Sequence, residues 1–456
     1  MVSKILVSTI VTASLMMAVA PAQAQQSSSA CIAPTTWFPH NQTPEQNSVG
    51  FPASPNNCDF HQWAWNAFLW LTQDVKGEAR FESMPANGIE TKPGVLDALI
   101  GRSGKARTLD IIDQAGPDGI MVDLQGHPVY YAIHSDSTFG DFIKANDLFD
   151  PAKLRKFDPK ESFPVGALTL KAAWKVVVPG EDVSTFYTRK AQIALLTTKN
   201  GKIVLSGKTK TVEVALVGFH VAGTVANHPE MIWATFEHLQ NAPDLPKPMN
   251  EMQPDDVVSD KNWTFYKAGT PFKDCNINSA GAGALKLDEA TQTLSPVTDV
   301  CRMIPFGGGS TNNVANIKLL NDSVHTQLKG VWNNYFEVGA IWFAANNGLK
   351  PNCTFQPGSQ QCGPNPGESI LTGSTQLSNT TIETFTQSQS VQDNCFACHN
   401  TVQVISPNET APSLPGLNVD ISHVLINEYF AAASKLRENA GAQVKAKPEV
   451  KLKAEH

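Results

Sequence analysis

Apolar positions in the middle of the chain follow the periodicity of β-strands. Val212–Ala222 is almost continuously apolar, which predicts a strand that is buried on both faces. Shorter apolar runs on either side predict further strands, bounded by glycine, proline and polar residues. These runs are Pro128–Ile133, Val165–Val178, Phe186–Leu196, Lys202–Leu205, Met231–Phe236 and Trp332–Ala344. Because their connections are short and show no βαβ rhythm, we expect an antiparallel β-rich body.

Helical spacing is found on both sides of these strands. His61–Thr72 would place aromatic side chains on two faces of a helix, which predicts a largely buried helix. Asn316–Leu328 also has helical spacing, and shorter helices are predicted at Asn379–Gln387 and Asp420–Ala433. The predicted fold class is therefore α+β, with an antiparallel β-rich central body, flanking helices and a C-terminal helical segment.

Composition supports a folded chain and excludes one class of function. Hydrophobic residues make up 41% of the sequence and charged residues 17%, so a sizeable core is expected. The formal net charge is −7. This charge argues against a general nucleic-acid binder, whose surface is normally basic.

The first 24 residues have the pattern of a secretory signal peptide. Lys4 supplies the positive charge, Ile5–Ala20 is apolar, and Ala22-Gln23-Ala24 is a small-residue cleavage site. The alternative is a membrane anchor, but the apolar run is short for a span and no second long run follows. We therefore expect an exported protein without a membrane span.

The sequence Cys395-Phe-Ala-Cys-His399 is C-x-x-C-H, the attachment signature of c-type haem. The thiols of Cys395 and Cys398 are spaced to form thioether bonds to one haem, and His399 would be the proximal iron ligand. The alternative is a redox Cys-x-x-Cys pair followed by an unrelated histidine. The histidine and the export signal together favour haem attachment, and covalent haem c is the cofactor predicted.

The other six cysteines fall into three pairs that are local in sequence. They are Cys31 with Cys58, Cys275 with Cys301, and Cys353 with Cys362. An even number of cysteines in an exported protein predicts disulfides, although six cysteines allow fifteen pairings. A metal cluster is the alternative, suggested by the C-x-x-H spacing of Cys58 and His61.

The sequence offers more than one occupant for the sixth position of the iron. The sequence has no methionine after Met303, which excludes a methionine ligand downstream of the motif. His423 lies on the predicted helix beyond the motif, and His220 lies on the buried strand. Either is a possible distal ligand, and an open site is the other possibility.

Four stretches carry a resemblance to a known group of proteins. They are Val212–Val221, Met231–His238, Leu377–Phe385 and Asn394–His399. They resemble large exported bacterial proteins described as cytochrome c family proteins, over roughly residues 60–430. The resemblance implies one haem on a C-terminal C-x-x-C-H and a large body without haem. It implies no substrate, and it draws attention to His220 and His238.

The predicted organisation has four parts: a signal peptide (1–24), a β-rich body with a helical N-terminal part (25–375), a haem-binding segment packed on that body (376–433), and a basic tail (434–456). The predicted function is electron transfer by a periplasmic monohaem cytochrome c. The alternatives are a haem-dependent oxidoreductase of peroxidase or oxygenase type, with a substrate pocket in the body, and a haem sensor. The partner is accordingly a redox protein or a small-molecule substrate. The sequence assigns no catalytic residue.

Overall fold

A computed structural model describes most of the body and parts of the C-terminal segment. The described residues are 30–38, 44, 57–84, 107–109, 119–276, 285–344, 348–355, 370–387, 394–405, 411–426, 429–430 and 432–433. The predicted signal peptide and basic tail lie outside them. The chain from Cys31 onward forms one compact unit. No helix among the described residues is both long and apolar enough to cross a membrane.

The described strands are numbered β1 to β12 in chain order. They are β1 (Asp74–Val75), β2 (Glu78–Ala79), β3 (Arg107–Leu109), β4 (Tyr130–Ser135), β5 (Leu168–Val176), β6 (Thr188–Lys199), β7 (Lys202–Val225), β8 (His228–His238), β9 (Lys286–Asp288), β10 (Thr293–Ser295), β11 (Tyr335–Phe343) and β12 (Leu371–Gly373).

The described α-helices are short apart from two. Those with described bounds are α1 (Cys58–Thr72), α2 (Ser137–Ala145), α3 (Pro151–Leu154), α4 (Thr311–His325) and α5 (Cys395–Cys398). Residues 424–426, 429–430 and 432–433, within the helix predicted at Asp420–Ala433, are also helical. Single 3₁₀ turns lie at Thr35–Trp37, Arg80–Ser83, Met249–Glu251, Phe272–Asp274, Val331–Asn334, Thr384–Thr386 and Asn418–Ser422. The predicted α+β class with a β-rich body is confirmed.

One large sheet organises the fold. Its strand order is β12-β11-β8-β7-β5-β4, and β6 pairs with β7 and, in parallel, with β3. The other pairings of this sheet are antiparallel. Strand β7 is central because its second half pairs with β5 on one edge and with β8 on the other. Its residues Val214–Phe219 are all buried, as the continuous apolar run predicts.

The predicted break between two of the strands is wrong, and the strand predicted from Trp332 begins at Tyr335, after the 3₁₀ turn Val331–Asn334. Lys202–Leu205 and Val212–Ala222 were expected to be separate strands, but both belong to β7. The polar stretch between them is exposed, yet it still pairs with β6 from Thr209 to Thr211. A backbone ladder needs only N–H and C=O groups, so a polar stretch can continue a hairpin that leaves the core.

The two faces of the sheet carry different layers. Helices α1 and α4 cover one face, where Phe68 stacks on Phe236 with ring centroids 4.4 Å apart and meets Phe219 edge-on. The C-terminal segment covers the other face, where Trp233 contacts Phe396. Burying one such aromatic side chain stabilises the fold by roughly 1.5–3 kcal/mol. The predicted haem-binding segment is therefore attached to the sheet by an apolar layer.

The C-x-x-H alternative for Cys58 and His61 does not fit the structure. Cys58 is joined to Cys31 in a disulfide. His61 is fully buried and donates hydrogen bonds from Nδ1 to Glu337 at 2.6 Å and from Nε2 to Asn313 at 2.9 Å. Both ring nitrogens are therefore used in joining α1 to the sheet and to α4.

Two of the three predicted disulfides form in the structure, Cys31–Cys58 and Cys275–Cys301. The third stays a prediction because Cys362 lies outside the described residues. Peptide mapping without reduction is expected to link Cys353 with Cys362. Recovery of either residue as a free thiol would contradict that pairing.

Gly218 on β7 allows the segment Leu377–Phe385 to lie directly on the sheet. A Cβ added at Gly218 would stand 2.0 Å from Thr381 Oγ1 and 3.0 Å from Asn379 Oδ1. Gly218→Ala is therefore expected to destabilise the protein by about 1–3 kcal/mol, a typical cost of overpacking. Urea unfolding measures this cost. Gly348→Ala is the control, since a Cβ there meets no described atom within 4 Å, and an equal effect of both variants would refute the packing argument.

Candidate haem attachment site

The C-x-x-C-H motif is held in place by its second residue and by the residue before it. Phe396 is fully buried and packs against Phe343, Phe355 and Trp233. Asn394 caps α5 by accepting a hydrogen bond from the Phe396 N–H at 3.0 Å, and its amide donates to the Thr375 carbonyl at 2.9 Å. The motif therefore has a fixed position on the body.

The two cysteines of the motif differ in exposure. Both are thiols in the structure rather than a Cys-x-x-Cys disulfide. Cys395 is half-buried and Cys398 is exposed. Burial, and then the charge of Glu383, raise the pKa of the Cys395 thiol, so it stays protonated. The two thiols thus differ in position, one partly buried within the segment and one at its surface.

His399 has the environment of a metal-binding imidazole. Its Nδ1 donates a hydrogen bond to the carbonyl of Ile421 at 2.7 Å. Its Nε2 has no hydrogen-bond partner among the described residues. Burial, and then the charge of His423, lower the pKa of His399 well below its usual value, so the ring is neutral and Nε2 keeps its lone pair. Histidine ligands commonly donate their second nitrogen to a carbonyl in this way.

The His399 ring is enclosed on both of its faces. The Trp233 ring lies at a centroid distance of 4.0 Å and an interplanar angle of 32°. His423 stacks on the ring at 4.2 Å and 27°. These two contacts and the hydrogen bond to Ile421 fix the direction in which Nε2 points.

The structure places His423 beside His399. His423 ends the 3₁₀ turn Asn418–Ser422 in a left-handed conformation with φ of 59°. Its Nε2 donates to the Cys398 carbonyl at 3.0 Å. Burial lowers the pKa of His423. In this arrangement its ring is parallel to His399 and its Nε2 is already engaged.

His220 lies on β7, on the same face of the sheet as Trp233 of the neighbouring strand β8. In the register of β5, β7 and β8 it stands between Lys171 and Thr235, and Thr235 is two residues from Trp233. Its Nε2 donates to Glu383 Oε2 at 2.7 Å. The charges of His220 and Lys171 contribute to lowering the pKa of His399. His220 is therefore close to the motif, although it is about 180 positions away in sequence.

The segment Leu377–Phe385 brings Glu383 to His220. Asn379 donates from its amide to Thr235 Oγ1 at 2.7 Å and to the Phe236 carbonyl at 2.9 Å. The helix predicted at Asn379–Gln387 is wrong, because only Thr384–Thr386 forms a 3₁₀ turn. Side-chain bonds from Asn379 and its threonine neighbours compete with helical backbone bonds and favour a turn.

The segment Leu377–Phe385 also contacts a buried ion pair, Glu237 with Arg302, in the layer beneath it. Thr380 donates from its backbone N–H to Glu237 Oε1 at 2.6 Å and from its hydroxyl to Oε2 at 2.7 Å. Arg302 donates from Nε to Glu237 Oε2 at 2.9 Å and from a terminal nitrogen to Asp244 at 2.7 Å. The position of the segment is thus set by its contacts with Glu237 in the sheet beneath it.

His238 belongs to the core instead. Its Nε2 donates to the Thr185 carbonyl at 3.1 Å, its Nδ1 accepts from the Gln240 N–H at 3.1 Å, and its ring stacks on Phe186 at 3.6 Å. Burial lowers the pKa of His238 to about 4. Both nitrogens are therefore satisfied within the fold.

Three contributors to the site were not predicted from the sequence: Trp233, Ile421 and Glu383. Trp233 and Glu383 lie within stretches that carry the resemblance, but each acts through a contact with a distant part of the chain. Alternation along β8 places Trp233 on the same face as Thr235, and this was the one local signal for it.

These residues fit the chemistry of c-type haem attachment. The structure supplies two thiols and one neutral imidazole whose Nε2 is directed by three contacts. The described residues contain no cluster of three or more His, Cys, Asp or Glu side chains that could bind a metal ion on its own. An iron at this site would therefore depend on the macrocycle for its other ligands. No protein-family model, curated protein or solved structure matches this chain.

Proposed function

We propose that this protein is an exported monohaem c-type cytochrome that transfers electrons. The haem is attached to Cys395 and Cys398, and His399 is the proximal ligand of its iron. The observation that carries the proposal is the state of His399 within C-x-x-C-H: Nδ1 is bonded to the Ile421 carbonyl and Nε2 is left for a metal. When bound, haem supplies one-electron exchange between ferric and ferrous iron.

The residues of the chain perform attachment and orientation. Trp233 and His423 keep the His399 ring in one plane, and Phe396 fixes the motif to the sheet. Cys398 is exposed, so a group attached to it lies near the protein surface. Proximity to the surface suits exchange of electrons with a redox partner protein.

A periplasmic location is part of the proposal. The signal pattern at residues 1–24 and the two disulfides agree with an oxidising compartment outside the cytoplasm. Covalent haem attachment in bacteria takes place in that same compartment. The resemblance to exported cytochrome c family proteins points the same way.

A haem enzyme is the second candidate, and one observation favours it. The two possible distal ligands each have Nε2 in a hydrogen bond, His220 with Glu383 and His423 with the Cys398 carbonyl. Either would have to give up that bond to ligate iron through the same atom. If neither does, the sixth position is open to a small oxidant such as a peroxide.

The ferric absorption spectrum of the purified protein, with and without cyanide, separates the two candidates. A carrier with a closed site is expected to be low-spin and unchanged by cyanide. His220→Ala or His423→Ala should then convert it to high-spin and identify the ligand. A high-spin parent that binds cyanide would contradict the closed-site carrier and support the enzyme.

A further inference from the structure

Glu383 is a carboxylate of the C-terminal segment that is bonded to His220, beside the candidate haem site. Its Oε2 accepts the hydrogen bond from His220, and its Oε1 accepts a hydrogen bond from the Asn379 backbone N–H. Each carboxylate oxygen therefore has one described hydrogen-bond partner, and together the two contacts fix the orientation of the side chain. The Glu383 side chain is 13% exposed, which leaves its charge only partly screened by solvent.

The charge of Glu383 reaches the attachment site. Burial is the larger cause of the raised pKa of the Cys395 thiol, and the charge of Glu383 adds to it. Lys171 is the opposite charge in this region. It stands directly across from His220 in the sheet, and its Nζ lies 4.6 Å from the centre of the Tyr131 ring. His220, its neighbour in the sheet, pairs with Thr235, which is two residues from Trp233, and the Trp233 ring lies 4.0 Å from the His399 ring.

We propose that Glu383 and Lys171 set the reduction potential of the haem in opposite directions. This inference rests on the proposed function. Oxidation leaves one more positive charge on the haem, and a fixed carboxylate nearby stabilises that charge. Glu383 therefore lowers the midpoint potential, and Lys171 raises it. Where His220 does not ligate the iron, it has a positioning role, because its hydrogen bond holds the Glu383 carboxylate in place.

Glu383 and Lys171 are both carried by backbone that is held to the sheet. The segment that carries Glu383 is held to the sheet through Asn379, and Thr380 binds the buried Glu237. Lys171 lies in the middle of β5, which is paired on both edges. The backbone that carries each charge is therefore fixed relative to the sheet, so both side chains stay in this region throughout the redox cycle.

The test is a redox titration of the full-length holoprotein. Glu383→Gln keeps the shape of the side chain and removes its charge. It is expected to shift the reduction equilibrium about tenfold toward the ferrous state, about 59 mV for one electron. Lys171→Met is expected to shift the equilibrium toward the ferric state. Glu383→Asp, which retains the charge, should stay near the parent value.

A control variant shows whether loss of any carboxylate would shift the potential. Glu251→Gln removes an exposed carboxylate from the turn Met249–Glu251 and should leave the potential unchanged. Equal potentials for the parent, Glu383→Gln and Lys171→Met would overturn the inference, even with haem attached. If Glu383→Gln does not fold, the direction of the Lys171→Met shift decides instead. Absence of covalent haem from the parent would instead refute the proposed function itself.

Discussion

Cys395→Ser combined with Cys398→Ser is expected to abolish covalent haem in a host that matures c-type cytochromes. Serine hydroxyls do not form the thioether bonds that the thiols form. His399→Ala should lower the yield of attached haem strongly, because the remaining thiols lose the imidazole that orients the iron. The measurement is haem retained on a denaturing gel, detected by its peroxidase activity.

The matched control removes another pair of cysteines. Cys275→Ser with Cys301→Ser deletes a disulfide, which costs roughly 2–4 kcal/mol in the chain-entropy model. That variant should keep its haem wherever it folds. Haem bound equally well by the Cys395 and Cys398 double variant would mean that the motif is not the attachment site.

Arg302→Ala is expected to lower the free energy of unfolding by about 3–5 kcal/mol, the usual cost of breaking a buried ion pair. The Arg302 side chain is 5% exposed and that of Glu237 is fully buried. Without Arg302, the Glu237 carboxylate stays buried with only the two bonds from Thr380 to compensate its charge. Urea unfolding monitored by tryptophan fluorescence measures the loss.

Two further variants show whether the effect comes from burial of the pair. Lys273→Ala breaks an exposed pair with Asp255 and should leave the free energy of unfolding nearly unchanged. Arg302→Met combined with Glu237→Gln removes both charges and should recover part of the stability that Arg302→Ala loses. A loss below about 1 kcal/mol in Arg302→Ala would contradict the assigned role.

The sequence predicted those parts of the fold that depend on local patterns. The continuous apolar run predicted the buried half of β7, and aromatic residues on two faces predicted the buried helix α1. The pairing of strands was not accessible in this way, because it depends on which apolar faces meet. The predicted break within β7 failed because exposed polar residues can pair as well as apolar ones when a hairpin extends from the core.

The candidate site, like the fold, was predicted only in those parts that depend on local patterns. Fixed spacing identified Cys395, Cys398 and His399, since their chemistry depends on neighbouring positions. The Ile421 carbonyl that binds His399 lies 22 residues away, and Glu383 lies 163 residues from its partner His220. No local pattern encodes such contacts. They arise because the sheet and the C-terminal segment share one apolar layer.

Intact mass under denaturing conditions tests the central claim most directly. The protein should be produced with its signal peptide in a host that attaches c-type haem, then unfolded and extracted with acid and acetone. We predict a mass increase of one haem per chain that survives extraction and maps to the peptide containing Cys395 and Cys398. A mass equal to that of the polypeptide alone, or haem removed by the extraction, would contradict the assignment.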